Sequence, residues 1–338
     1  MNPLAPLGMI YARGGDIRNA MFDREWFRSY DLGAPTISIG NLTTGGTGKT
    51  PLVASVARIL LERGEKVCIL TRGYGRKDAS TRVLVADGNA TLADAETGGD
   101  EPVELARQLG GRATIVADAN RVAAAEWARK EFGITAFILD DGFQHRRARR
   151  DLDIVCIDAT RPFGNGYVIP AGTLRESAGN LSRADVIVVT RASLVDSTDG
   201  LVVRLRDRNA SAPIFFASNR IASVSKIEDF ISGKAAAYND GARRVVAFCG
   251  IGNPENFFLQ LRKDGFDVVA TKTFADHHRY TARDIADLKL LVSGHSSSVL
   301  ITTAKDAVKF KLNEFEALCL VAHIKCDIVP AIDFEHLF

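Results

Sequence analysis

Ile39 to Pro51 reads IGNLTTGGTGKTP. Glycines let backbone N–H groups converge on a phosphate, and a helix starting directly after them adds the positive end of its dipole. The G-x-x-x-x-G-K-[ST] pattern wants glycine at position 43, where Thr43 stands. The shorter core from Gly45 to Thr50 nevertheless fits the GGxGK[TS] variant of the phosphate loop. Lys49 supplies a mobile charge for the outer phosphates, and the Thr50 hydroxyl suits Mg²⁺. Gly45, Gly46, Thr47, Gly48, Lys49, Thr50 and Pro51 are therefore the candidate nucleotide-binding residues, with a nucleoside triphosphate and Mg²⁺ expected there.

The neighbouring sequence has the context such a loop needs. Apolar residues alternate over 35–40 and then stop at the glycines, and residues 52–61 have helical periodicity. Further apolar runs at 66–71, 114–116, 136–139, 154–157 and 186–190 alternate with helical patterns at 101–109 and 120–132. Strands alternating with helices predict a parallel sheet covered on both faces. A linker is expected around 220–243, followed by strands at 245–249, 268–269, 299–302 and 318–322 and a helix at 255–263. The expected fold class is α/β: a P-loop NTPase-like, mostly parallel sheet with helices on both faces, a smaller C-terminal α/β domain and an N-terminal amphipathic helix. The expected boundaries are 1–32 for the N-terminal region, 33–220 for the P-loop domain and 221–338 for the smaller domain with its linker.

The 338 residues favour two domains. Hydrophobic content of 46% with 25% charged residues describes an ordinary folded chain. A formal charge of +2, no aromatic interleaving of basic residues and no nucleic-acid module argue against DNA or RNA as partner. Five cysteines without a C-x-x-C pair read as reduced thiols. No run of 18 apolar residues occurs, and no positive stretch precedes an apolar block as in a secretory signal. Leu7, Ile10, Gly14, Ile17 and Met21 do follow helical spacing. That line fits either a helix packed on the protein's own core or one lying in a membrane surface.

Other residues suited to chemistry lie outside the loop. Residues 138–141 form an apolar strand ending in Asp140 and Asp141; beside a phosphate loop, such a strand brings carboxylate to Mg²⁺. Asp100 and Glu101 open a helix after Gly98-Gly99, as an N-cap, a general base or a metal-water ligand. Basic clusters at 72–76, 146–150 and 175 are solvated faces or anion sites. Asp276-His277-His278 sets a carboxylate beside imidazole, which tunes a proton acceptor.

Taken in order, GNLTTGGTGKTP (40–51), LTRGYGR (70–76), GGDEP (98–102), DDGFQHR (140–146), RDLDIV (150–155), PAGTLRE (170–176), FADHH (274–278) and DAVK (306–309) resemble the tetraacyldisaccharide 4′-kinase (lipid A 4′-kinase) family. The resemblance covers nearly the whole chain. It implies transfer of the ATP γ-phosphate to the 4′-hydroxyl of an acylated, 1-phosphorylated glucosamine disaccharide, in a cleft between the two domains. By the same resemblance Lys49 contacts the transferred phosphate, Thr50, Asp140 and Asp141 hold Mg²⁺, and Glu101 joins that shell. Asp100 takes the hydroxyl proton with help from His277, while Tyr74, Arg121 and Arg175 hold the anionic lipid or the phosphates. A lipid substrate further implies a protein working peripherally on the cytoplasmic face of the bacterial inner membrane, docked by its N-terminal helix; a monomer is expected. The family pattern has glutamate where Ala304 stands, and His278 beside His277 leaves two histidines for one role. The loop alone equally suits a nucleotide-dependent switch or metallochaperone-like P-loop ATPase.

Overall fold

The computed structural model describes residues 2–234, 237–238, 241, 243–296, 298–315 and 318–338, so part of the linker expected at 220–243 lies outside the described residues. The chain opens with helix α1 (Ala5–Asp23). Strand β1 (Thr36–Asn41), entirely buried, runs into the phosphate loop and then helix α2 (Lys49–Glu62). Next come β2 (Val67–Thr71), β3 (Val83–Asp87), the short α3 (Ala95–Gly98) and α4 (Asp100–Gln108). They are followed by β4 (Thr114–Ala117), α5 (Arg121–Phe132), β5 (Ala136–Asp140), β6 (Leu152–Asp158), β7 (Val186–Thr190) and α6 (Asp199–Arg206). The remainder comprises β8 (Ile214–Lys226), α7 (Ile227–Ile231), β9 (Arg244–Cys249), α8 (Pro254–Lys263), β10 (Asp267–Thr273) and α9 (Ala282–Ser293). It ends with β11 (Val299–Thr303), α10 (Ala304–Ala307), β12 (Cys319–Val329) and α11 (Ala331–Glu335).

The twelve strands of the described residues belong to one sheet, ordered β10-β9-β11-β12-β8-β7-β6-β1-β5-β2-β4-β3. Every pairing is parallel except β3 with β4 and β8 with β12. Two parallel blocks therefore meet back to back at an antiparallel ribbon, in which Phe216 faces Val329 at one end and Lys226 faces Leu320 at the other. Residues 214–226, expected to lead into a linker, are strand, and β8 runs straight through the expected boundary at 220/221. The last strand, expected at 318–322, extends to Val329.

Central strands are apolar on both faces because helices cover both. On one face Ile37, Ile39 and Ile69 pack with Leu52, Val53 and Val56 of α2 and Val103 and Leu105 of α4. On the other, Cys68, Leu70, Phe137 and Leu139 pack with Ala124, Ala125 and Ala128 of α5, whose small side chains let the helix approach closely. The C-terminal block has its own core around Phe248, Phe310, Phe315 and Val321.

Helix α1 is moored by polar contacts. Asn19 Nδ2 donates to Glu176 Oε2 at 3.0 Å, and the Arg18 guanidinium donates to the Gln144 carbonyl oxygen. Gly8 lies against the Val168 carbonyl, where a Cβ would come within 2.7 Å of the oxygen. Of the line expected from helical spacing, Leu7, Ile10, Gly14 and Ile17 face outward and Met21 is half-buried, so the own-core alternative does not describe most of it. No helix among the described residues is long and apolar enough to cross a membrane.

Candidate active site

The loop after β1 is held from three sides. Asn41 Nδ2 donates to the Thr43 carbonyl and to Thr47 Oγ1, at 2.8 and 2.9 Å. Thr190 Oγ1 donates to the Thr47 carbonyl at 2.7 Å, and Arg191 Nη1 to that of Gly46 at 2.8 Å. Thr43, the residue that departs from the strict pattern, is buried in a one-residue antiparallel bridge with Leu174. Extended pairing suits threonine, and a glycine's left-handed freedom is not needed there. It is needed at Gly48, the N-cap of α2, with φ +78°. Lys49, Thr50 and Pro51 then form the first turn of α2. Proline fits because that turn's N–H groups have no partner within the helix.

Parallel pairing of β1 with β5 sets Ile39 opposite Asp140, so the strand-end acids arrive beside the loop. The two behave differently. Burial works against charge on Asp141, but Lys49 Nζ at 3.2 Å and Arg175 Nη1 at 2.6 Å outweigh it and hold the carboxyl down to about 2. Burial and the nearby Glu101 and Asp141 charges push Asp140 up to about 6, with Thr71 Oγ1 donating to it at 3.0 Å. Such a carboxyl gains from a cation. Mg²⁺ binds through one or two carboxylates plus water and phosphate oxygens, so Asp140, with Thr50 on the facing helix turn, fits it. Among the described residues no three His, Cys, Asp or Glu side chains converge at metal-ligand spacing. Glu101, expected in the metal shell, is paired with Lys305 Nζ at 2.9 Å.

The third group crosses the molecule. His277 Nδ1 lies 3.0 and 2.8 Å from the two Asp100 oxygens, although 177 residues separate them. His278 instead meets Asp284 Oδ2 at 3.1 Å and stacks on Phe274, so of the two histidines only His277 reaches Asp100. The bond to Asp100 raises His277 above its ordinary value. Burial opposes ionisation of Asp100, but the His277 bond and the charges of Lys305, His277 and Lys309 hold the carboxyl below its usual range. Lys305 also binds Asp276 Oδ1 at 3.0 Å, and Lys309 Nζ lies 3.5 Å from Asp100 Oδ2. These lysines flank Asp306 in DAVK, a motif to which sequence reasoning assigned no role. Their spacing around a strand end was the available signal.

Asp141, Arg191 and His277 are three of the five described non-glycine residues with positive φ. Left-handed backbone at such residues is costly and collects at functional sites. The three expected acceptor-binding residues differ in placement. Arg175 is fixed on Asp141, and Arg121 is buried near the charges of Asp140 and Asp141. Tyr74 is exposed, with Arg72 over its ring at 5.4 Å.

A glycine loop of this build, closing a central parallel strand and opening a helix beside a strand-end aspartate, places the chain among the P-loop proteins. The sequence profile of the tetraacyldisaccharide-1-P 4'-kinase family matches residues 2–337, and the chain belongs to that family. The tetraacyldisaccharide 4'-kinase of Geobacter metallireducens is 40% identical, over 90% of this chain and 87% of its own length. That of Syntrophus aciditrophicus is 36% identical over 99% and 91%. Among solved structures, LpxK from Aquifex aeolicus in complex with ATP superposes with a TM-score of 0.77 at 27% identity, covering 99% of this chain and 96% of that one.

Proposed function

We propose that this chain transfers the γ-phosphate of ATP to the 4′-hydroxyl of an acylated, 1-phosphorylated glucosamine disaccharide. The observation that carries this reading is the Asp100–His277 pair, a proton-accepting couple assembled next to a phosphate loop. A nucleotide switch has no need of it. Phosphoryl transfer depends mainly on positioning and charge neutralisation, with modest help from a base. Residues 45–51 cradle the donor phosphates, and Lys49 leaves Asp141 to follow the transferred group. Thr50 and Asp140, with Asp141 and Glu101, would hold Mg²⁺, which would supply charge neutralisation on the phosphate oxygens. Asp100 takes the hydroxyl proton and shares it with His277 Nδ1. Tyr74, Arg121 and Arg175 hold the anionic acceptor and phosphates.

The acceptor is a lipid, and α1 offers the surface to meet it. Leu7, Met9, Ile10, Tyr11, Ile17, Trp26 and Phe27 are all exposed, with Arg13, Arg24 and Arg28 among them. A helix with apolar side chains outward and arginines nearby suits an anionic bilayer surface. The reading assigns residues 1–32 to docking, 33–220 to the donor half and 221–338 to the half that brings His277. The protein acts as a monomer on the cytoplasmic face of the inner membrane.

The test is incubation with γ-labelled ATP and the 1-phosphorylated acyl disaccharide. Label is expected in the lipid. Label found only as free phosphate, with or without lipid, would instead support the P-loop switch or metallochaperone-like ATPase.

A further inference from the structure

A cavity of about 650 Å³ lies at the end of α4 opposite Asp100. One bank is the C-terminal end of α4, with Arg107 and Gln108; the other is the ribbon and the turn after α7, with Ser225, His323, Ser232 and Lys234. The volume is that of a small-molecule site. Its described lining contains no aspartate or glutamate, and supplies a guanidinium, an ammonium, an amide and hydroxyls from both banks. Such a set of donors suits an oxyanion with several oxygens.

Two details make this more than a gap between elements. Arg107 Nη1 donates to the Phe230 and Ile231 carbonyls at 3.1 and 2.8 Å, which fixes the guanidinium at the cavity wall. Gln108 Oε1 is buried without a partner among the described residues, while its Nε2 donates to Glu104 Oε1 at 2.9 Å. Burial pushes Glu104 up to about 8, with Asp100 and Glu101 adding to the effect against Lys305, so at neutral pH it carries its proton. A protonated carboxyl can donate to the amide oxygen. Turning the Gln108 amide over lets Glu104 donate to Oε1 and leaves the amide N–H donors without a partner among the described residues, on the α4 bank of the cavity.

We propose that this cavity is a binding site for a small phosphate monoester, held between the two banks. Arg107, Lys234 and the turned Gln108 amide take the phosphate oxygens. The remaining volume, beside Phe230, accommodates a group the size of a sugar. The binding claim is independent of the reaction assigned above.

The experiment is calorimetric titration of the full chain with glucose 6-phosphate, with the nucleotide loop saturated by Mg²⁺ and a non-hydrolysable ATP analogue. One site is expected, tightest with the phosphate ester and undetectable with glucose. Lys234→Glu, on an exposed turn, should weaken it at least tenfold, and Gln108→Leu should do so severalfold. Lys49→Ala should leave it unchanged. No heat of binding, equal binding to Lys234→Glu, or loss in Lys49→Ala would each overturn the proposal; the last would place the phosphate in the nucleotide loop.

Discussion

Asp100 and His277 are the place where a single atom change reads most directly. Asp100→Asn keeps the shape and removes the proton acceptor, so kcat is expected to fall by about 10²–10⁴ while nucleotide affinity holds, as steady-state kinetics would check. The pH profile follows from the bond between the two. Because Asp100 raises His277, the couple becomes base-competent only as pH climbs through a value above the ordinary 6.5, and kcat/KM should rise across that window. His277→Ala should abolish that limb. The attraction holding the two groups together has the opposite sense. With Asp100 ionised it is complete below pH 6.5 and fades as pH rises through the raised His277 value. Gly40 illustrates a purely steric demand: a Cβ there would sit 2.5 Å from the Phe143 Cβ and 2.6 Å from its backbone nitrogen. Gly40→Ala is expected to cost about 1–3 kcal/mol in denaturant unfolding. The sequence showed Lys49 and the acids because motifs carry them. It did not show that Asp141 is tied to Lys49 and Arg175, or Glu101 to Lys305, since pairing across a fold leaves no local pattern.

Among the elements, α1 and α4 do the most to position chemistry. Helical spacing located α1, but spacing alone cannot tell an inward apolar stripe from an outward one. The deciding contacts are Asn19 with Glu176 and Gly8 with Val168, both about 160 residues apart in sequence. With the stripe outward, Leu7→Asp with Ile10→Asp should lower partition onto anionic vesicles by at least about tenfold, as two buried apolar side chains are worth several kcal/mol. Flotation would measure this, and turnover on a detergent-dispersed acceptor should be little changed. Full retention on vesicles would remove α1 from the docking role. Helix α4 was legible from its acids and proline, which open it as a first turn should. Its second function, carrying the stripe Asp100, Glu104 and Gln108 from the reaction centre to the cavity, was not, because a half-buried glutamate looks like a surface one in sequence.

Over the whole molecule, the parallel sheet was readable from strands that alternate with helices, and the join between its halves was not. Strand β8 reads IFFASNRIASVSK, partly exposed along most of its length, so it lacks the apolar run that announced its neighbours. The resulting ribbon is the structural link across which His277 is delivered, and its register shifts between His323 and Ile324, beside the cavity. A bulge bends and twists a pair of strands locally. Asn219 faces Cys326 across this ribbon, so Asn219→Cys would create a cross-strand pair of thiols. Oxidation is then expected to lower turnover several-fold and reductant to restore it, with nucleotide affinity steady throughout; equal rates in the two states would show that catalysis needs no flexing there. The ribbon thus offers a reversible brake: one covalent bond between two strands, by which the redox state of the buffer would set how often the two halves meet.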